Sequence, residues 1–223
     1  MAEVIGEIVG YAIGIAVSPV PIAAVILMLF ASKARVTGPA FLAGWLIGII
    51  TVVTVVLFVP GLGGDTGEPS TTTGVIKGVL GLLLLVVAVR QWVSRPGPDD
   101  ETPMPKWMAG IDTMGGGGAF GLALLLTVAN PKNLVLAAAA GAAIGAAQLD
   151  TGGTILTVAV FTILASITIA IPVIGYLIAG DRIQPALDNT KDWMIRNNTA
   201  VMSVLFLVFG VILVGDAIGI LFG

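Results

Sequence analysis

Two proline motifs interrupt apolar stretches of the chain, and they hold the residue types that could recognise a ligand. The first is Ser18-Pro19-Val20-Pro21 and the second is Asn130-Pro131-Lys132-Asn133. Proline has no backbone N–H, so each motif leaves carbonyl groups one turn earlier without a helical partner. Ser and Asn are favoured N-caps, and proline is favoured at the first helical position, so each motif predicts a helix restart. A helix start offers N–H donors and partial positive charge, which suits an anionic or strongly polar group.

Lys132 adds a full positive charge to the second motif. At the centre of an apolar span a lysine costs about 2.5–3.5 kcal/mol, so it is expected to face a cavity or a partner. The candidate partners are the freed carbonyls, the substrate, or the carboxylates of Glu3, Glu7 and Asp216. Two plainer interpretations stand beside this one: proline kinks that only shape packing, and a lysine that reaches the membrane surface. We predict substrate binding by Ser18, Pro19, Pro21, Asn130, Pro131, Lys132 and Asn133.

Other chemistry has little support in the residues present. The chain contains no histidine and no cysteine. It therefore lacks the commonest metal ligand, the commonest proton shuttle and any thiolate ligand. No pair of acidic residues falls within one span, and no Walker-type glycine-rich loop ends in Lys-Ser or Lys-Thr. We predict no metal site, no cofactor and no enzymatic activity.

The composition indicates a membrane protein. Of 223 residues, 57% are hydrophobic and 10% are charged, whereas soluble domains have about 25% charged residues. A spanning helix needs about 20 apolar residues, and six largely uncharged stretches meet that length. The sequence therefore predicts an all-α integral membrane protein with six transmembrane helices, the first and fourth of them broken at the proline motifs. The predicted spans are 4–30, 38–59, 74–93, 118–147, 152–178 and 199–221.

A polar linker divides this single transmembrane domain into two halves. Residues 94–117 contain four prolines and an acidic run, which is typical of an extended connector. The flanking segments 1–93 and 118–223 each hold three predicted helices, so they would insert with opposite orientations. Inverted repeats of this kind recur in secondary transporters. The two broken helices would then be equivalent, and their motifs are expected to meet near the membrane midplane.

Glycines recur at four-residue spacing in several of the spans, which predicts close helix packing in lipid. The glycine sets are Gly6-Gly10-Gly14, Gly44-Gly48, Gly141-Gly145 and Gly215-Gly219.

The basic residues lie in loops on one side of the membrane, and the positive-inside rule places that side in the cytoplasm. Both termini are then predicted to be extracytoplasmic. The predicted cytoplasmic residues are Lys33, Arg35, Arg90, Arg95, Lys106, Arg182, Lys191 and Arg196. The loops on the opposite side contain Asp65, Glu68 and Asp150.

The two breaks and the short basic loop after the first of them resemble the LysE superfamily of exporters. Residues 18–26, 38–45 and 129–134 are most similar to its actinobacterial branch, the glycopeptidolipid- and sulfolipid-addressing (GAP) family. The resemblance implies a six-helix transporter of the bacterial plasma membrane that moves a lipid or glycolipid toward the cell envelope. It leaves open a homo-oligomer or an envelope-lipid export machinery as partner, and it implies no nucleic acid. The alternatives are an exporter of a small solute such as an amino acid, a channel, or a structural subunit of a lipid-export complex.

Overall fold

The structure is a computed structural model that describes residues 2–58, 71–95, 110–111 and 113–222. Within these ranges the chain forms helices and no strand, so the all-α prediction is confirmed there. The loop with Asp65 and Glu68 lies outside the described residues, as does linker segment 96–109 with Lys106. The α-helices are α1 Ala2–Ala16, α2 Pro19–Phe30, α3 Ala34–Phe58, α4 Thr71–Val93, α5 Gly116–Val128, α6 Pro131–Ala146, α7 Thr151–Ala179 and α8 Gln184–Phe222, with a short 3-10 helix at Gly180–Ile183 before α8.

Both predicted helix breaks are present. A bend of 55° separates α1 from α2, and a bend of 72° separates α5 from α6. Among the described residues, α3, α7 and the Thr199–Phe222 part of α8 are each long and apolar enough to cross a membrane. Counting each bent pair as one span raises the number to five. Six spans and an inverted repeat therefore stay predictions.

The two faces of α7 differ in burial, and the residues on the exposed face indicate the solvent around the protein. One face of this helix is buried, and the opposite face exposes large aliphatic side chains. A stripe of isoleucines facing water would be unfavourable, whereas the same stripe facing lipid tails is not. The protein is therefore membrane-embedded. The buried face includes Phe161, Ala165, Ile169 and Val173, and the exposed face includes Ile163, Ile167, Ile171, Ile174 and Ile178.

The helices form two compact units. The first unit contains α1, α2, α3, α5, α6, α7 and the start of α8 as far as Asp192. The second unit contains α4 and α8 from Trp193 onward. Each unit combines helices from both of the predicted three-helix segments. Both helix breaks belong to the first unit.

Glycines allow the closest helix contacts of the first unit. A Cβ atom added to Gly48 of α3 would lie 2.9 Å from the Thr127 Cβ of α5, and one added to Gly44 would meet the Phe120 carbonyl. A Cβ on Gly141 of α6 would lie 2.7 Å from the Val53 carbonyl oxygen. Real Cβ atoms do not come this close, so only glycine fits these positions. The close packing predicted for these three glycines is confirmed.

The same prediction is wrong, within this chain, for the glycines near its two ends. An added Cβ would meet nothing within 4 Å at Gly6, Gly10, Gly215 and Gly219. All four lie on exposed helix faces, and four-residue spacing alone does not say whether a face meets a neighbour. In the second unit, α4 and α8 instead approach at Gly81 and Gly210, where a Cβ on Gly81 would lie 2.9 Å from the Gly210 carbonyl oxygen.

Candidate substrate site at the two helix breaks

The first break, Val17 and Ser18, leaves the C-terminal end of α1 without its usual backbone partners. The helix ends at Ala16, and Ser18 is extended, with φ −114° and ψ 101°. Pro19 and Pro21, in the first turn of α2, have no N–H to donate. The last carbonyls of α1 must therefore find donors elsewhere or remain unsatisfied inside an apolar bundle.

Side chains from α6 and α7 supply those donors. The Lys132 Nζ donates to the carbonyl oxygens of Gly14 at 2.6 Å and Val17 at 3.2 Å, and to the Ser18 Oγ at 2.7 Å. An ammonium has three N–H donors, so all three are used here. The Thr168 Oγ1 donates to the Ala16 carbonyl oxygen at 2.7 Å. Of the partners predicted for Lys132, the structure shows one carbonyl that a proline leaves free, that of Val17. The Gly14 carbonyl and the Ser18 hydroxyl were not among the predicted partners.

The second break, Ala129 and Asn130, satisfies its own backbone. The Asn130 side chain accepts a hydrogen bond from the backbone N–H of Lys132 at 3.1 Å, which is an N-cap with Pro131 at the first helical position. Asn133 is fully buried, and its Nδ2 donates to the Leu126 carbonyl oxygen at 3.3 Å. The predicted N-cap role of Asn130 is confirmed.

The two breaks are in direct contact. The Ser18 Oγ donates to the Asn133 Oδ1 at 3.0 Å and accepts from the Lys132 Nζ. One chain of hydrogen bonds thus runs from the end of α1 through Ser18 to the end of α5. The predicted proximity is confirmed for Ser18, Lys132 and Asn133, while Pro19, Pro21 and Pro131 occupy the helix starts that form the breaks. Substrate binding by these residues stays a prediction.

The electrostatics of the site differ from a simple meeting of two positive helix starts. Each break also exposes a helix C-terminus, which carries partial negative charge. The ammonium of Lys132 faces the C-terminal end of α1, where it neutralises that charge. An anionic ligand at this site would have to replace two carbonyl groups and one hydroxyl group around the ammonium.

Four further polar residues of the first unit went unrecognised in the sequence. One is Thr168, and the other three bury a polar atom without a hydrogen-bond partner among the described residues: Trp45 Nε1, Thr162 Oγ1 and Ser166 Oγ. The signal available in the sequence was the i, i+4 spacing of Thr162 and Ser166 inside an apolar run.

A family comparison identifies the chain. A family model described as "Sap, sulfolipid-1-addressing protein" matches residues 8–219, which include both breaks. The chain belongs to the sulfolipid-1-addressing protein family. Comparison with curated proteins and with solved structures gives no match. The resemblance to the sulfolipid-addressing branch is confirmed, and the wider placement in the LysE superfamily stays a prediction. This member of the sulfolipid-1-addressing family is a membrane protein in which both motifs form one polar cluster between apolar helices.

Proposed function

We propose that the protein transports a lipid or glycolipid with an anionic or polar head group toward the cell envelope by alternating access. The observation that supports this most is the position of Lys132. Its ammonium lies between two broken helices and holds only hydrogen bonds that a head group could replace. The family match favours a lipid over the small solutes that a similar centre could export.

In the proposed mechanism, Lys132 couples the two broken helices until substrate arrives. Anionic oxygens of the head group bind the ammonium more strongly than neutral carbonyls do, because two opposite full charges attract each other strongly where water is excluded. The ammonium then leaves the Gly14 and Val17 carbonyls, and Ser18 and Asn133 bind the remaining polar groups of the substrate. Release of the head group on the other side restores the original contacts.

The surrounding framework is part of the proposal. We infer six spans in two inverted repeats, a bacterial plasma membrane, and both termini on the extracytoplasmic side. Transport rather than catalysis is proposed, driven by an ion gradient, a partner or the gradient of the lipid itself.

The cysteine-free chain allows a direct test of the proposed orientation with an impermeant thiol reagent. Ala2→Cys should be labelled from outside and Asp188→Cys should not; the reverse pattern would contradict the orientation.

The functional test compares two residues that bond to the same helix end. Lys132→Met removes the charge, whereas Thr168→Val removes a neutral donor to the adjacent Ala16 carbonyl. Transport of a sulfated glycolipid is measured in reconstituted vesicles and divided by the amount of folded protein. Lys132→Met should lower it at least about tenfold, since a hydrogen bond to a charged group contributes about 1.5–3 kcal/mol and 1.4 kcal/mol is tenfold.

Thr168→Val controls for damage to the break itself and should keep most of the transport. Lys132→Arg should be partly impaired, because a planar guanidinium does not replace a compact ammonium. Normal transport by Lys132→Met at normal abundance would contradict a substrate role for this lysine. Transport of an amino acid in place of the glycolipid would favour the small-solute alternative.

A further inference from the structure

The Lys132 ammonium is bound entirely by neutral oxygens. Its three hydrogen bonds reach the Gly14 carbonyl at 2.6 Å, the Ser18 Oγ at 2.7 Å and the Val17 carbonyl at 3.2 Å. All three oxygens belong to one stretch of chain, the last turn of α1 and the break that follows it. Because they converge on a single nitrogen atom, they already form a binding site for a small positive group.

The end of α1 attracts positive charge independently of the lysine. A helix C-terminus carries partial negative charge on the carbonyls that have no helical donor. Gly14 is buried and Ser18 is 2% exposed, so water screens this charge little. Backbone carbonyls of unwound segments and helix ends are also the groups that bind monovalent cations in channels and transporters. The end of α1 thus has the ligands and the electrostatic potential of a cation site.

The proposed transport mechanism takes the positive charge away from these oxygens. When Lys132 pairs with an anionic head group, the Gly14 and Val17 carbonyls lose the donor that they share. Pro21 has no N–H with which to replace it at Val17. Unpaired carbonyls inside an apolar bundle are unfavourable. The departure of the ammonium therefore favours the entry of another cation.

A monovalent cation suits this site better than a divalent one. Ca²⁺ and Mg²⁺ sites in proteins usually include carboxylates, whereas the three oxygens here are neutral. An incoming monovalent cation and an incoming anionic head group together add no net charge to the bundle, which avoids burying an uncompensated charge. The prediction of no metal site rested on the lack of histidine and cysteine, and a site made of carbonyls and a hydroxyl needs neither.

We propose that the C-terminal end of α1 binds Na⁺ or K⁺ when Lys132 pairs with the anionic head group. The ligands are the Gly14 and Val17 carbonyl oxygens and the Ser18 Oγ. The proposal rests on the proposed function for the group that draws Lys132 away. A hydroxyl has two acceptor lone pairs and one proton, so Ser18 can bind the cation and still donate to the Asn133 Oδ1, its acceptor at 3.0 Å. Cation and head group then strengthen each other's binding.

Removal of the ammonium should make the cation site available without any lipid. Purified Lys132→Met is unfolded by heat in micelles in NaCl, KCl or N-methyl-D-glucamine chloride at one ionic strength. Na⁺ or K⁺ at about ten times its dissociation constant should raise the unfolding temperature by about 3–6 °C above that in N-methyl-D-glucamine. Wild type, in which the ammonium fills the site, should unfold at one temperature in all three salts.

Thr168→Val is the matched control for this measurement. It frees the adjacent Ala16 carbonyl of the same helix end but leaves the ammonium on its three oxygens. It should therefore show no difference among the three salts. If Lys132→Met also unfolds at the same temperature in all three salts, the proposal is overturned.

A second measurement uses the wild-type protein and so does not depend on the folding of Lys132→Met. Binding of a sulfated glycolipid should be at least about fivefold tighter in NaCl or KCl than in N-methyl-D-glucamine chloride, a typical coupling between two sites. Ser18→Ala removes one oxygen ligand and should lower this ratio of affinities, whereas Thr168→Val should keep it. Equal affinities in the three salts for wild type would overturn the proposal.

The outcomes separate the cation site from the proposed function. Stabilisation of Lys132→Met by Na⁺ or K⁺ in a protein that transports no lipid would support the cation site, since that result needs no lipid, and would contradict the transport proposal. Lipid transport at equal rates in all three salts would overturn the coupled cation and leave the transport proposal standing. Transport that requires Na⁺ or K⁺ and is lost in Lys132→Met would support both.

Discussion

At both helix breaks a proline follows a Ser or Asn at the start of a helix. The breaks differ in which residues satisfy their backbone hydrogen-bonding groups. At the second break, Asn130 caps α6 and Asn133 bonds to the end of α5, so the segment supplies its own donors and acceptors. At the first break, Ser18 forms no side-chain cap to α2. The carbonyls of α1 there depend on Lys132 and Thr168, which come from other helices.

This asymmetry indicates which break is able to change. A break that is satisfied by its own residues keeps its shape when neighbouring helices move. A break that depends on side chains more than 110 positions away in the sequence is satisfied only while those helices stay in place. We therefore expect the first break to rearrange during transport and the second to remain as the rigid carrier of Lys132 and Asn133.

The largest effect on stability is expected from Asn133→Leu, because this side chain serves both breaks. Its removal leaves the Leu126 carbonyl without its donor and the Ser18 hydroxyl without its acceptor. Each buried group left unpaired costs about 1–3 kcal/mol, so the loss for the two groups should reach about 2–6 kcal/mol. The measurement is thermal unfolding in detergent micelles.

Asn197→Leu is the control for this variant. The Asn197 Nδ2 also donates to a backbone carbonyl, that of Trp193, but at an exposed site on α8. Water can replace that bond, so Asn197→Leu should change stability little. Equal unfolding temperatures for the two variants would mean that Asn133 does not join the breaks.

Much of the broken-helix architecture could be predicted because its signals are local. Proline removes a donor at a known position, and Ser or Asn before it marks a helix start, so the starts of α2 and α6 followed directly from the sequence. The predicted span 38–59 corresponds to Ala34–Phe58, and 152–178 corresponds to Thr151–Ala179. The contact of Lys132 with the Val17 carbonyl was also predictable, because an ammonium inside an apolar bundle requires acceptors and Pro21 has no N–H for that carbonyl.

The contributions of α7 could not be predicted in the same way. Thr168 reaches the Ala16 carbonyl only because of the rotation and the register of α7 against α1. In a soluble helix the apolar stripe reveals which face is buried, but α7 is apolar on both faces, so its sequence pattern does not orient it. The Gly14 carbonyl, which also binds Lys132, could not be predicted, because no proline stands four residues after it. The sequence therefore indicated two positive helix starts and missed the negative helix end that the ammonium faces.

A smaller loss of stability is expected from Thr168→Val, which affects the first break alone. The Ala16 carbonyl loses its only side-chain donor among the described residues, at a cost of about 1–3 kcal/mol for one unpaired buried group. The measurement is again thermal unfolding in micelles. Thr190→Val is the control, because its hydroxyl bonds to the Ala186 carbonyl of its own helix at an exposed site. If Thr168→Val unfolds at the wild-type temperature, the first break does not depend on α7.

The smallest effect is expected from Asn130→Ala, which removes the N-cap of α6. Replacing a cap by alanine typically costs about 1 kcal/mol, and serine caps nearly as well as asparagine. Asn130→Ala should therefore lower stability by about that amount, and Asn130→Ser should restore most of it. Hydrogen exchange adds a local measurement: the Lys132 amide, which donates to the Asn130 side chain, should exchange faster in Asn130→Ala. The first turn of α2 should be unaffected, since Asn130 bonds within its own break. Faster exchange in α2 as well would mean that the second break transmits its disturbance through Lys132, and the two breaks would then have to be treated as a single unit.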